Sequence, residues 1–305
     1  MQLEEIFLDK ILESFLSNKK LNTLERDVFR LRFSKKNEDK THGEIAKEIE
    51  KKRDKEGRPI GNFTNSINTT VQQVVHALAD QYEEEIRVDG FDSLLWRNTK
   101  RGGKVEGKDG RFSPWKDAFL WLWEKKYHCW VWSWVWEQLI VQAREAGEQI
   151  TLREVSISAG RTLDIPEMPR FVVLKDRPYQ LYINLKRNAS LLVLGQSTSG
   201  KRLCYCPSQA FAPTNNKISA SEPTVLPESE SPAAVARKYF TYREVGEEWV
   251  LAIVTSEQLN RSWTNVGGTK WIHELTAASL IDLWEQLQQQ PDAELFFKLF
   301  EVTDV

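Results

Sequence analysis

Seven of the twelve tryptophans in this chain fall between Trp115 and Trp136. That much indole in so short a stretch exceeds what one face of one element can bury, so a second layer must cover it, from this chain or from a partner. Trp115, Phe119 and Leu122 fit one helical face, as do the residues after Gln138. Between them Trp130-Val131-Trp132-Ser133-Trp134-Val135-Trp136 alternates with period two, as a strand would, so local pattern leaves helix and strand both open there. Three uses compete for the cluster: an aromatic core beneath a neighbouring domain, a platform for stacking bases, and a docking surface. Its position at the joint between two halves of different character points to an interface, with Trp130, Trp132, Trp134 and Trp136 as its residues.

The remaining composition is that of a globular protein, at 41% hydrophobic and 28% charged residues over 305 positions. That length accommodates two or three modest domains. Lys and Arg number 42 against 44 Asp and Glu, so any attraction to phosphate must come from local basic patches. Three cysteines cannot build a disulfide framework, and the first twenty residues lack the pattern of a secretion signal, which together predict a cytoplasmic protein. The most apolar stretch, Ala118 to Val141, is interrupted by Glu124, Lys125, Lys126 and His128, so no membrane span is expected.

The front of the chain spells four helices. Leu3, Ile6, Phe7, Ile11 and Phe15 recur at helical spacing. Asn22 with Glu25, and Thr41 with Glu44, have the side chains of capping boxes that open a second helix and a short third one. A charged loop from Lys51 to Gly61 separates these from a fourth helix, about Phe63 to Tyr82, whose inner face is Ile67, Val71, Val74, Val75, Leu78 and Tyr82. Its outward residues Asn65, Asn68, Thr69, Gln72 and Gln73 are amides and hydroxyls suited to base edges. It carries no Lys or Arg, so phosphate contacts would fall to Lys35, Lys36, Lys40, Lys47, Lys51, Lys52, Arg53, Lys55 and Arg58.

Arg97 to Arg111 has four glycines, six basic residues and no hydrophobic period, and is expected to be a flexible basic loop. After Thr151 short β-type runs follow, at 155–157, 171–174, 179–185, 190–194, 202–206 and 248–254, and 275–290 closes the domain as a helix. Gly195 to Lys201 matches the G-x-x-x-x-G-K phosphate loop, but Arg202 occupies the magnesium-binding position and a strand ending at Pro207 follows, so a hairpin turn is predicted. Cys204 and Cys206 are expected on the same face of that strand, too few for a tetrahedral zinc site without two more ligands, and are read as buried strand cysteines. No catalytic set surrounds His42, His76, His128 or His273, so the chain is expected to be no enzyme and to need no metal or cofactor.

Two resemblances add to this. The stretches Leu24 to Phe33, Thr41 to Ile49 and the helix after Phe63 resemble the helix-turn-helix of sigma-factor region four, although the 51–61 insertion replaces its tight turn. Arg177 to Ile183, Leu191 to Leu194, Cys204 to Ser208 with Phe211 to Pro213, Gly246 to Val254 and Phe296 to Val302 look like a bacterial domain of unknown function, common in cyanobacteria and fused to signalling modules. The first implies DNA binding; the second implies a non-catalytic β-sandwich of binding or sensing type over about residues 170–305. The expected architecture is α+β and multidomain: a helix-turn-helix-like bundle at 1–88, a basic linker at 89–113, a Trp-rich helical connector at 114–150, and an antiparallel, sandwich-like domain with a closing helix at 151–305. The function expected is a DNA-binding regulator or adaptor, the partner being DNA or a signalling protein. The alternative is a protein-interaction adaptor of a signalling or defence assembly that never binds DNA.

Overall fold

Capping chemistry starts the helices where the sequence places it. Asn22 and Thr41 each accept from the backbone N–H three residues on, while Glu25 and Glu44 reach back to the cap, opening α2 (Thr23–Arg32) and α3 (His42–Lys55). With α1 (Leu3–Leu16) and α4 (Ile67–Gln81) these are the four expected helices. The computed structural model describes residues 2–16, 21–97, 106–107, 110–111, 113–155, 172–185, 188–213, 217–259, 263 and 272–304. Most described helices sit in the front of the chain and the two larger sheets in the back, an α+β arrangement.

Two differences from the expected helices have a physical cause. The third helix is not short: it runs through residues 51–55, where the sequence predicts a loop. Lys52 and Arg53 extend it because both pair with Asp27 of α2, at 3.0 and 2.9 Å. The fourth helix starts at Ile67, because Phe63 to Ser66 form a turn whose first N–H is accepted by the Glu50 carboxylate.

The chain divides into two compact units, 1–130 and 131–305. The first also holds α5 (Glu83–Val88), α6 (Ser93–Arg97), the short antiparallel pair β1 (Glu106–Gly107) and β2 (Gly110–Arg111), α7 (Pro114–Trp121), a π-helical turn over Leu122–Lys126, and the opening of α8 (Tyr127–Gln142). Part of the expected linker is therefore helix. Trp96 of α6 is fully buried and donates its indole N–H to Asp117 at 2.7 Å. Arg97 pairs with Asp80 and Glu83. The rest of the expected basic loop, 98–105, 108–109 and 112, lies outside the described residues.

Tryptophan fills the core of this unit. Phe7 is ringed by Trp123, Tyr127 and Trp130 at 5.1–5.4 Å between ring centres, and Trp121 packs on Tyr82 and Trp96. The buried indoles each find an acceptor, Trp121 at Asp89 and Trp123 at the Phe33 carbonyl, as a desolvated N–H requires.

Residues 130–136 are helix, and helical geometry explains their period-two spelling. Steps of 100° place Trp130 with Trp134, and Trp132 with Trp136, in two i,i+4 rows on opposite sides of α8, with Val131, Val135 and Leu139 between them.

The second unit contains β3 (Arg144–Glu145), β4 (Ile150–Glu154), β5 (Val172–Leu174), β6 (Pro178–Ile183), β7 (Ala189–Gln196), β8 (Arg202–Cys206), β9 (Lys217–Ile218), β10 (Thr224–Leu226), α9 (Pro232–Val235), β11 (Phe240–Thr241), β12 (Gly246–Thr255), β13 (His273–Glu274), α10 (Ala277–Leu287) and β14 (Glu294–Thr303). One sheet runs β13-β8-β7-β12-β14-β3, with β9 also on β7 and β5 also on β14. In the other, β6 has β4 along one edge and β10 and β11 along the opposite edge. Pairing is mostly antiparallel, β3 and β5 lying parallel to β14. Of the strand expected at 155–157, Val155 lies just past the end of β4 and is not strand, and 156 and 157 lie outside the described residues.

Alternate residues from both sheets enter one apolar core: Leu181 and Ile183 of β6, Leu191 and Val193 of β7, Val250, Ala252 and Val254 of β12, Phe300 and Val302 of β14. On the larger sheet Leu192, Leu194, Leu251 and Ile253 are buried as well but lie outside that core, on the opposite face. The helices of this unit pack at that level: Trp132 and Trp136 of α8 flank Arg202 of β8, and Trp134 meets Trp284 of α10 edge to face at 5.2 Å.

Candidate nucleic-acid interface

Three helices build the candidate site. α2 and α3 are joined by a turn that Arg32 organises from within. Its guanidinium donates to the carbonyls of Asn37, Glu38 and Lys40 at 2.7–3.2 Å and lies 3.7 Å over the Trp115 ring. The side chain is fully buried, and desolvation pushes its pKa down to about 10. Next to it, His42 at the first position of α3 shares a 2.6 Å hydrogen bond between its Nδ1 and Asn68 Oδ1 of α4. Burial holds the His42 imidazole below its usual range; the Asn68 bond opposes that shift and the Arg32 charge adds to it. The open end of α4 is thus tied to the start of α3 through His42 and to its middle through Glu50.

The residues expected to face bases divide accordingly. Asn65, Asn68, Thr69 and Gln73 are exposed, and Gln72 is partly covered. Asn65 precedes the helix, and Asn68 is engaged with His42. Beyond Gln73 the helix sinks inward, Val74, Val75, Ala77, Leu78 and Ala79 all being buried. Its next exposed residue is the acid Asp80.

The expected phosphate contacts separate more sharply. Lys35 pairs with Glu4 at 3.5 Å and lies over the Trp123 and Tyr127 rings. Lys36 is 3.8 Å from Glu5, Lys40 pairs with Glu48, and Arg58 pairs with Glu56. Lys52 and Arg53 are held by Asp27, whose side chain is 6% exposed. Arg53, 12% exposed, is thereby part of the packing between α2 and α3, while Lys52 keeps a 42% exposed side chain. Lys47, Lys51 and Lys55 remain: all are exposed, and no carboxylate among the described residues lies within ion-pair distance of them. Lys47 acts on Glu44 only through space, and Glu44 is occupied by its capping bonds.

Asp27 was missed as an organising residue. Its signal is in the sequence: it is the one carboxylate set among Leu24, Val28 and Leu31, and an acid on an apolar stripe needs a cation to meet it. Arg32 has the same kind of signal, an arginine next to Leu31 and Phe33.

The four tryptophans read as an interface are engaged within the unit to which each belongs. Trp130 packs on Phe7 and Tyr127 in the first; Trp132, Trp134 and Trp136 pack on Arg202 and Trp284 in the second.

In the second unit residues 197–201 are the hairpin turn between β7 and β8, with Gly200 at φ 80°. The cysteines do not share a face. The β7–β8 register slips between Val193, opposite Cys206, and Leu194, opposite Cys204. The bulge at Tyr205 turns Cys206 into the core and leaves Cys204 on the other side. Among the described residues no group of three or more His, Cys, Asp or Glu is placed to hold a metal ion. No described helix is long and apolar enough to cross a membrane. Comparison of the chain with protein-family models, with curated proteins and with solved structures finds no match.

Proposed function

We propose that this protein is a DNA-binding regulator or adaptor, in which α2, α3 and α4 act as a helix-turn-helix-type unit and the two-sheet unit, read as a β-sandwich, receives a signal or a partner without catalysis. The observation that carries this reading is the exposed opening of α4: Asn65, Thr69 and Gln73 stand free beside Asn68, on a backbone anchored to α3 by His42 and Glu50. Amide and hydroxyl side chains on the first turns of a helix are the groups that read base edges in a major groove. Only those turns would enter, since the later part of α4 is buried. The connection from α3 to α4, residues 56–66, is longer than a helix-turn-helix turn, so the angle of α4 is this chain's own.

The test is fluorescence anisotropy of the full chain with labelled duplexes of several sequences at low salt. The reading expects salt-sensitive binding, and a loss of discrimination between duplexes when Asn65, Thr69 and Gln73 become alanine. Each good base contact contributes about 1–3 kcal/mol of discrimination. An absence of any salt-sensitive duplex binding overturns it. One observation favours the alternative, a protein-interaction adaptor: the C-terminal end of α4 runs into four exposed acids, Asp80, Glu83, Glu84 and Glu85, although Arg97 pairs with the first two and Lys126 with the last. A partner captured from native lysate with and without nuclease, in a protein that binds no DNA, would establish that second reading. The resemblance of residues 170–305 to a bacterial accessory domain supports a cytoplasmic signalling context for either.

A further inference from the structure

Of the nine basic residues read as candidate phosphate contacts, six have an acidic partner, which for four of them lies within the α2–α4 unit and for Lys35 and Lys36 on α1. The three that do not, Lys47, Lys51 and Lys55, are spaced i, i+4, i+8 on α3. They form one row along the outer face, opposite the buried Ile45, Ala46 and Ile49. Like charges at i,i+4 destabilise an isolated helix by a few tenths of a kcal/mol each, and the through-space attraction between Glu44 and Lys47 offsets only part of that. Asp54, the acid beside them, pairs with none of the three.

We infer that this row is a contact for the phosphate backbone of double-stranded DNA, independent of base sequence. The inference rests on the DNA-binding reading above and adds where the affinity comes from. Four residues of helix rise about 6 Å, so the row extends about 12 Å. One DNA strand presents a phosphate about every 3.4 Å along the duplex axis, so a helix lying beside it spans about four phosphates over that length, and each lysine, about 6 Å from the next, has one within reach. A lipid surface fits less well. The exposed residues of α3 are Glu44, Lys47, Lys51, Asp54 and Lys55, with no apolar side chain to enter a bilayer. Base reading is absent from this contact, because lysine ammonium groups on phosphate specify register and not sequence.

The experiment uses the full chain and a variant carrying Lys47→Gln, Lys51→Gln and Lys55→Gln, titrated with duplex DNA over a range of salt. A second variant, Lys201→Gln in the β7–β8 hairpin turn, controls for net charge. Each phosphate contact contributes about 0.9 to the slope of log K against log salt. The triple variant is expected to lose about 2.7 from that slope, and to bind about 500-fold more weakly at 0.1 M salt, to the same degree for every duplex sequence. Lys201→Gln is expected to change neither. Because the three side chains are exposed, helical circular dichroism and the melting temperature are expected to be unchanged, which separates lost contact from lost fold. Duplex binding by the unaltered chain with a slope that the triple variant retains overturns the lysine row and leaves the DNA-binding reading standing. No duplex binding at all overturns both. Binding of the row to vesicles of phosphatidylserine, or to duplex RNA in preference to DNA, overturns the assignment to DNA.

Discussion

Replacing Asp27 by Asn should cost the first unit about 3 kcal/mol. The carboxylate is 6% exposed and holds two cations, Lys52 Nζ at 3.0 Å and an Arg53 guanidinium nitrogen at 2.9 Å. Removing one member of a buried ion pair costs about 3–5 kcal/mol, chiefly because the surviving charge is left without its partner. Arg53 is that survivor: its side chain is 12% exposed, and its Nε is already buried without a hydrogen-bond partner. Lys52, at 42% exposure, can turn to water, so its share is at most about 1 kcal/mol. The Asn side chain still accepts one hydrogen bond, which places the total at the lower end. With a urea m-value of about 2 kcal/mol/M, the midpoint falls by about 1.5 M. Helical circular dichroism reports it, since α1 to α7 lie in this unit. Asp27→Asn together with Arg53→Met should recover much of the loss, because no isolated charge then remains. An unchanged midpoint in Asp27→Asn would show that Lys52 and Arg53 are solvated cations after all, and would return both to the set available for phosphate.

Three further outcomes are expected. His42 has a depressed folded pKa against an ordinary value of 6.5; the stability it contributes as a neutral ring is complete above 6.5, declines as pH falls below that, and is gone beneath the folded value. Melting temperatures of His42→Gln should therefore lose less between about pH 7 and pH 5 than those of the parent. Glu248 has the opposite sign: burial raises its pKa from 4.5 despite the Thr198 N–H bond. The folded state then binds the extra proton, so stability falls as pH rises through 4.5, and Glu248→Gln should be the more stable form at neutral pH and indistinguishable well below 4.5. Gly195→Ala should destabilise the second unit by about 1–3 kcal/mol, because its Cβ would sit 2.2 Å from the Tyr205 ring; thermal melts of Gly195→Ala with and without Tyr205→Leu should show the second change relieving the first.

What the sequence revealed follows the range of the interactions. Capping boxes at Asn22 and Thr41 act over three residues, and both helix starts were legible. The apolar runs 190–194 and 248–254 likewise show β7 and β12, whereas β14, which follows the helix expected to close the domain, was not read as a strand. The extension of α3 to Lys55 depends on Asp27, some 25 residues away, and no local pattern distinguishes a cation that meets a buried acid from one that meets water. The same distance hid the site: nine basic residues looked equivalent, and only the pairing of six of them isolates Lys47, Lys51 and Lys55. Trp130 to Trp136 stayed open between helix and strand for another reason, since two i,i+4 rows on a helix spell the same letters as one face of a strand. The cysteines were misplaced by one extra residue at Tyr205, and a bulge has no local spelling.

That bulge ties two positions into one heritable character. With the Tyr205 ring lying across Gly195, a lineage can place a side chain at 195 only after the ring at 205 has shrunk, and a shrunken ring first leaves a void over the glycine. Each order passes through an intermediate less stable than either end, the first by overlap and the second by a cavity. Exchange at 195 and 205 is thus expected to come in pairs, or on a background with stability to spare, and libraries that vary either position alone will report both as immutable.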